Sequence, residues 1–589
     1  MRLRRSHRLL FARASLATLL AAAALAGPAA PSATHASAHT SGQAVSHAHQ
    51  RAGLDLNATD PRFGVAEASA QPNVADDLGA RWTRIPFIWS YIQQTGPQSW
   101  NPFVLSSHGS DGVINAEIAR GRNIVGLLVG SPDWAALYPS WHRASAPKNL
   151  FVPWTKPATD SALTTPVNPN KPTNYFGNYA YWLAKHYAGK IDQWIVWNEV
   201  SIPPTAGNCK PGTWTQWFAG CKPSDSVKTY AQMVEVAYQA IHAANPKAKL
   251  ILYGDPYWYD KGAFEKALMT KLHTDDQKNG SMSDGYFDVA NLHLYIGAST
   301  FYWIISDLRK QMASFGWKNK EIWVSETNLE PYDSPGTTRP AVRFRGTLED
   351  QSTFLADAVA VYVAAKANRI EIYRMYDGPE TAAGGAPMGL VGNNGKLRPI
   401  GRTFKFLRAL YSGATDGAYT KGELYPDALI GGKAGVFKVV ATKPGYHITT
   451  VWNQAGAHAT YPKPWWTNPK TGVTFDATSD IVFPLHATGS PTTYDSSGTA
   501  TYHFKATGTN PVVYDKFGHA TTITGSAPVE INNRDENGNV RAVAGHTFIS
   551  LSGGVYTVQL RGGTTYTNPD DPRIPIESGD PVIVLEQTN

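Results

Sequence analysis

Cysteine is scarce: the 589 residues hold two, Cys209 and Cys221. A disulfide-dense scaffold is thereby excluded, and so is a cysteine-rich zinc site, because no further ligands stand near either residue. Charge is sparse as well, at 17% of residues. The formal net charge of +7 comes mostly from residues 1–50, which carry Arg2, Arg4, Arg5, Arg8 and Arg13 and no acid. Without those five arginines the chain has 48 basic against 46 acidic residues, or +2. It therefore lacks the positive field that nucleic-acid binding needs, and no nucleic-acid partner is expected. No apolar run reaches the roughly 20 residues of a membrane span. The sequence has no G-x-S-x-G elbow, P-loop or H-E-x-x-H helix, so the parts for acyl transfer, nucleotide hydrolysis and zinc proteolysis are missing. The expected chemistry uses neither metal nor cofactor.

The N-terminal arginines lead into an Ala/Leu run from Ala14 to Ala26, followed by small residues and Pro28. A charged start, a short apolar run and A-x-A sites ending at Ala26 or Ala38 read as a secretory signal peptide over residues 1–38. Residues 39–58, rich in Ser, Thr, Ala, His and Gly, read as a disordered linker. Export in turn suits a disulfide between Cys209 and Cys221, which lie twelve residues apart in a Gly/Pro/Trp-rich stretch.

Aromatic residues are abundant, with 18 Trp, 28 Tyr and 21 Phe, enough to supply flat surfaces for stacking on a ligand. From Phe63 onward one theme repeats: a short apolar run, a loop, then an amphipathic helix. The runs are Phe63–Ala68, Ala80–Phe87, Asn123–Gly130, Ile191–Glu199, Lys249–Asp255, Phe287–Tyr295, Glu321–Glu326 and Arg369–Tyr376. Near-continuous β-branched and aromatic stretches of this length suit parallel strands buried on both faces. Between them, Val227, Tyr230, Ala231, Val234, Ala237, Tyr238 and Ile241 share one helical stripe that stops at Asn245-Pro246. Another helix starts at Thr347 with Asp350 three residues on, a capping arrangement, and turns Phe354, Ala358, Val361 and Ala365 inward. Eight such units predict an α/β fold, a (β/α)8 TIM barrel over residues 59–412. The doubly wound alternative would carry a Gly-rich turn after the first strand, and FGVAEASAQPN has none.

After Ser412 the texture changes to short alternating strands. Gly435–Thr442 and Tyr446–Asn453 flank a Lys-Pro-Gly turn, and Val555–Leu560 and Pro581–Glu586 follow. Residues 413–589 are predicted to form an all-β sandwich packed on the barrel, with an inserted subdomain near 455–500 as an open alternative.

Barrel enzymes place their chemistry at the C-terminal ends of the strands. There the fourth run ends Trp197-Asn198-Glu199 and the seventh ends Val324-Ser325-Glu326. A glutamate at such a rim is costly to bury unless something pairs with it or uses it. Two of them facing across the mouth supply what glycosidic bond cleavage needs: one to protonate the leaving oxygen, the other to attack the anomeric carbon or activate a water. Glu67, Asp133, Asp255 and Asp377 also stand near strand ends as possible substrate ligands. Trp89, Trp134, Trp141 and Trp258 fall in loops after strands two, three and five, where each could stack on a sugar or serve loop packing; Trp134 is carried forward as a candidate.

The pattern resembles clan A of the retaining glycoside hydrolases, and its WNE tripeptide and β-rich tail are most similar to the β-xylosidase and α-L-iduronidase family. The resemblance covers roughly residues 62–412. It implies that Glu199 is the acid/base and Glu326 the nucleophile, with Asn198 binding the sugar 2-hydroxyl. It further implies that His293 and Tyr295 are the clan's His-x-Tyr, with Tyr295 steadying the nucleophile and Arg84 beneath it. Where the clan often places Trp at the end of strand eight, this chain has Met375-Tyr376-Asp377, leaving Tyr376 as the substitute. The expected function is a secreted retaining glycosidase acting on β-xylosides or other pentose- or uronate-containing glycans. A transglycosylase with the same glutamates and a non-catalytic carbohydrate-binding protein stay open alternatives. Oligomeric state is not legible.

Overall fold

The computed structural model describes residues 54–588, apart from 102–103, 105, 140–143, 159–171, 202–217, 220–221, 258–261, 281–283, 296–297, 332, 336–344, 383–384, 422–435, 454–455, 458–465, 468–473, 476–491, 495–498, 541–545, 562 and 565–578. The expected signal peptide (residues 1–38), Cys209, Cys221, Trp141, Trp258 and most of the expected inserted subdomain lie outside the described residues.

Eight parallel strands close into a barrel: β1 (Phe63–Val65), β2 (Trp82–Ile88), β3 (Asn123–Val129), β4 (Gln193–Val196), β5 (Lys249–Asp255), β6 (Val289–Leu294), β7 (Glu321–Thr327) and β8 (Arg369–Ile372). Each pairs with its chain neighbours, and β1 closes the ring by pairing with both β8 and β2. A helix follows every strand: α1 (Pro72–Leu78), α2 (Ser110–Ala119), α3 (Tyr175–His186), α4 (Pro223–Ala244), α5 (Ala263–Lys278), α6 (Ala298–Ser314), α7 (Leu348–Ala364) and α8 (Pro399–Leu410). The chain is thus a TIM barrel, with α4 ending at the expected Asn245. Packed chain begins earlier than the linker expectation had it. Leu54 is buried in the core, and Arg408 on α8 donates to the carbonyls of Leu56 (2.8 Å) and Ala58.

Strands β2 and β7 are not neighbours, so their side chains can meet only across the lumen. Trp82 and Trp323 do so with ring centroids 5.7 Å apart, and the Arg369 guanidinium lies 4.4 Å from the Trp323 centroid. These three groups plug the lumen. Gly64 on β1 makes room for the plug, because a Cβ there would come within 2.5 Å of the Trp82 indole.

The tail holds a six-stranded sheet, in the order Asp416–Lys421, Val436–Lys443, Tyr446–Asn453, Val582–Gln587, Thr509–Tyr514 and Ala520–Thr522. A five-stranded sheet built from Thr492–Tyr494, Ala500–Lys505, Val555–Leu560, Thr547–Ser552 and Val529–Ile531 faces it. Pro444-Gly445 turns the Val436–Asn453 hairpin, with Gly445 at φ 79° as the tight turn demands. Alternation sorts the side chains of the six-stranded sheet into two cores. Val436, Val451, Val582 and Val584 pack with Tyr502, Ile549 and Val558 of the second sheet, while Phe437, Val439, Ile448, Trp452, Ile583 and Leu585 join the barrel core.

Helix α7 packs against the strands Asp416–Lys421, Val436–Lys443 and Tyr446–Asn453 of the six-stranded sheet. Its Thr347/Asp350 capping box forms as expected. Burial, however, extends all round from Gln351 to Ala364 rather than along one stripe, since barrel and sheet cover opposite sides. Buried Lys516 bridges Glu349 (2.6 Å) and Asp580, and Thr353 donates to Asp580 at 2.6 Å. Tyr302 on α6 stacks on Tyr419 of the sheet at 4.4 Å.

Candidate active site

Strand β4 stops at Val196, three residues short of the apolar run that marked it. The Trp197 amide still donates to the Leu128 carbonyl (2.8 Å), but Trp197 (φ 68°) and Glu199 (φ 45°) are left-handed. For non-glycine residues such a conformation costs on the order of 1–3 kcal/mol each, so surrounding contacts must hold it. Trp197 packs edge-on against Phe218 at 5.2 Å. Tyr230 on α4 donates to the Val196 carbonyl (2.6 Å) and accepts the Tyr253 amide (2.8 Å), stitching the end of β4 to β5. Just beyond, Ser201 donates to Asp255 at 2.8 Å. These ties turn Glu199 into the barrel mouth.

Glu326 is aimed by a bulge. Pairing with β6 steps from Leu292–Val324 to His293–Glu326, and pairing with β8 from Ile370–Val324 to Ile372–Thr327. Both neighbours therefore skip one residue of β7 at the same place, which re-aims the following side chains. Glu326 meets Arg84 across the lumen, with Arg84 Nη2 donating to Oε1 at 2.6 Å, and Tyr295 donates to Oε2. His293 Nδ1 lies 2.8 Å from a Glu199 oxygen and 3.4 Å from Glu326 Oε2. Ser325 Oγ meets the other ring nitrogen at 3.1 Å, and the Asn291 side chain accepts the Ser325 amide. The ring fits because β5 carries Gly254, where a Cβ would fall 1.8 Å from His293 Nε2.

These neighbours set the charges. Burial alone would raise the Glu326 carboxyl, but His293, Arg84 and Tyr295 outweigh it and hold the group below the usual carboxylate range. Burial and then the Glu326 charge push the Tyr295 hydroxyl well up, so it stays a donor. Beneath lies Glu371 on β8, fully buried, with Oε2 3.7 Å from Arg84 Nε. Burial and Glu326 drive it to about 8 against the pull of Arg84.

Glu199, Glu326, Arg84, His293 and Tyr295 thus come together. Asn198 is buried beside Glu199. Tyr376 does not reach the cluster by any contact among the described residues. It is half-buried and bridges to Val391. Strand β8 ends at Ile372, and Tyr373, which precedes a cis peptide to Arg374, takes the position instead. Its ring lies 5.9 Å from the Arg84 guanidinium carbon and 6.5 Å from the Tyr295 ring. Trp134 is used in loop packing, donating to the Gln93 carbonyl (2.8 Å) and wedged edge-on against Trp89 and Tyr175. Among the other strand-end acids, Asp377 is gripped by Arg398, and Glu67 lies 3.5 Å from Arg374.

Glu199, His293 and Glu326 each offer a ligand atom within 4.8 Å of the other two. That spacing is compatible with a cation, but His293 Nδ1 itself fills the gap between the carboxylates. In this unit Glu326 is held by two donors, Arg84 and Tyr295, and Glu199 is hydrogen-bonded to His293, whose ring stands 3.4 Å from Glu326. Such a pair can deliver a proton at one side of a bond and a nucleophile at the other.

The glycosyl hydrolase catalytic core family matches residues 214–404, a stretch that contains β5 to β8 and with them His293, Tyr295, Glu326 and Glu371. No curated protein matches the sequence. Among solved structures, similarity extends to a family 39 glycoside hydrolase from the gut symbiont Bacteroides cellulosilyticus WH2, at 12% identity over 86% of this chain and 82% of that one, TM-score 0.48. A glucosidase from Croceicoccus marinus shares 11% identity over 91% and 98%, TM-score 0.48. A family 30 endoxylanase from Clostridium papyrosolvens C71 shares 11% over 91% and 99%, TM-score 0.42. The family match identifies the barrel as that of a glycosidase, and its substrate as a carbohydrate.

Proposed function

We propose that this glycosidase is secreted and works by double displacement with retention, Glu326 acting as nucleophile and Glu199 as acid/base. The observation that carries the reading is the spacing of the pair. A Glu199 oxygen lies within 4.8 Å of a Glu326 oxygen, close to the roughly 5–5.5 Å of retaining enzymes and well short of the roughly 6.5–9.5 Å that leaves room for a water. Their surroundings divide the labour. Glu326, kept ionised, attacks the anomeric carbon while Glu199 protonates the departing oxygen. Glu199 then takes a proton from the water that releases the sugar from Glu326. Arg84 and Tyr295 hold the nucleophile in line, and His293 fixes the distance between the two carboxylates. Asn198, whose amide has no hydrogen-bond partner among the described residues, is available to a sugar hydroxyl. The resemblance to the β-xylosidase and α-L-iduronidase family supports β-xylosides or other pentose- or uronate-containing glycans as substrates. The leader-like residues 1–38 support export, which would let Cys209 and Cys221 pair.

The test is a panel of aryl glycosides and polysaccharides, with the first-formed anomer followed by NMR. Retention is expected. Glu326→Ala should be inert on every substrate. Glu199→Ala should still release an activated phenol, stall as a glycosyl-enzyme, and recover turnover with azide. An inverted product, or equal losses in both variants without azide rescue, would overturn the assignment.

A further inference from the structure

We propose that Glu371 is a second carboxyl partner of Arg84 and exchanges ionisation with Glu326 over the reaction cycle, so that the buried guanidinium always faces one carboxylate and never two. The inference rests on the double-displacement reading for its catalytic half. Its structural half stands alone. Arg84 reaches from β2 across the lumen with Nη2 2.6 Å from Glu326 on β7 and Nε 3.7 Å from Glu371 on β8. Glu371 has no solvent exposure. Neither of its oxygens makes a hydrogen bond of ordinary geometry, and Arg84 Nη1 is likewise unpartnered. A weaker approach of the Arg84 backbone amide is its remaining favourable contact.

The other charges facing Glu371 are Glu326 on β7, Glu67 after β1, and Arg369 on its own strand. Arg369 is committed to the indoles of Trp323 and Trp82. Arg84 is therefore the cation that Glu326 and Glu371 share, and two carboxylates beside one guanidinium in a dry pocket do not both ionise. With Glu326 charged, Glu371 keeps its proton, consistent with the upward displacement by burial and by Glu326.

Attack on the sugar changes this balance. The bond from Glu326 to the anomeric carbon forms as the bond to the leaving oxygen breaks, and Glu326 becomes a neutral ester. Arg84 would then be buried without a counter-ion, an expensive state. Glu371 loses its proton to solvent and pairs with Arg84. When water cleaves the ester, Glu326 regains its charge and Glu371 takes a proton back. No electrons are exchanged, and one proton leaves and returns per turnover. Glu371 thus acts through Arg84, as a positioning residue that stabilises the glycosyl-enzyme.

Infrared spectroscopy of the full chain near neutral pH tests both halves. Beside the band of the protonated Glu199 acid, the wild type should show a second protonated-carboxyl C=O band, shifted in D2O, that Glu371→Gln lacks. Glutamine mimics the protonated acid, so this variant should fold. Glu326→Gln removes the Glu326 charge permanently, as the ester does, and should lose the same band because Glu371 ionises against Arg84. Persistence of the band in Glu326→Gln, or its absence from the wild type, overturns the proposal. For the catalytic half, the probes are 2,4-dinitrophenyl 2-deoxy-2-fluoro-β-xyloside and the matching glucoside, with mass spectrometry locating the label. Labelling should release about one proton per site more from the wild type than from Glu371→Gln, and equal release overturns the exchange. If the band behaves as expected but neither sugar labels Glu326, the double-displacement reading fails while the sharing of Arg84 stands.

Discussion

The imidazole of His293 occupies the volume that a side chain on Gly254 would need. An ideal Cβ at Gly254 would fall 1.8 Å from Nε2 and within 2.3 Å of two ring carbons. The two residues come from adjacent strands, β6 and β5, and the missing methyl group lets His293 stand between the carboxylates.

Gly254→Ala should therefore displace the imidazole while leaving the fold intact, because the Gly254 backbone lies outside the left-handed region and alanine can adopt it. A displacement of about 1 Å in the catalytic unit costs roughly 10²-fold. Turnover of an aryl glycoside should fall by about that factor with an unchanged circular dichroism spectrum. Full activity in this variant would show that His293 does not set the geometry of the pair.

Tyr295→Phe deletes a donor to Glu326. A hydrogen bond to a charged group contributes about 1.5–3 kcal/mol, so kcat/KM should fall roughly ten- to hundredfold. The sign of the pH effect follows from which form the donor favours. Tyr295 stabilises the carboxylate and holds its pKa down, so its loss should move the acid limb of the kcat/KM profile to higher pH. A drop in rate with an unmoved acid limb would contradict this.

Stability should carry the mark of Glu371. Its folded value of about 8 lies above the ~4.3 of a glutamate in an unfolded chain. Between these pH values the folded chain keeps a proton that the unfolded chain has released. The stability contributed is complete below the unfolded value and declines as pH rises through the window, by up to about 1.4 kcal/mol per pH unit. Denaturant unfolding from pH 5 to 8 should show Glu371→Gln gaining on the wild type as pH rises. A constant difference between the two would count against a protonated Glu371.

The barrel should not survive without its tail. A chain ending at Ser412 would uncover the side of α7 that packs on the six-stranded sheet and would remove Phe437, Val439, Ile448, Trp452, Ile583 and Leu585 from the core they share with the barrel. Each such contact is worth about 1.5–3 kcal/mol of apolar burial, against a typical total stability of about 5–15 kcal/mol. The truncated chain should be insoluble or inactive, and a soluble, fully active one would refute the dependence.

The strand runs were legible because parallel strands covered on both faces read as continuous apolar stretches. Glu199 and Glu326 were legible because each ends such a run. What stayed hidden has physical reasons. The early end of β4 carries no glycine or proline signal, since the left-handed residues are Trp197 and Glu199. The run Arg369–Tyr376 overran β8 by four residues, which directed attention to Tyr376 in place of Tyr373. Glu371 sits in an alternating Arg-Ile-Glu-Ile pattern, and a strand whose polar residues face a lumen looks the same in sequence as one whose polar residues face water. Gly254 looked like an ordinary strand glycine, because the ring that needs its space is 39 residues further along. The Trp134 indole could not be assigned to sugar or to protein before Gln93, Trp89 and Tyr175 were seen around it.

The six-stranded sheet is keyed on both sides. Along Val436–Lys443 and Val582–Gln587, odd and even positions are sorted between two different hydrophobic interiors. A slip of one residue would send the Phe437 and Ile583 set toward the second sheet and the smaller valines toward α7. An edge-on sheet with one wet face tolerates such an error at the cost of one interior, whereas here two are spoiled at once. Single-residue insertions or deletions inside these strands should accordingly be the least tolerated length changes in the tail. Natural variation in chain length should gather at the hairpin ends and between the sheets instead.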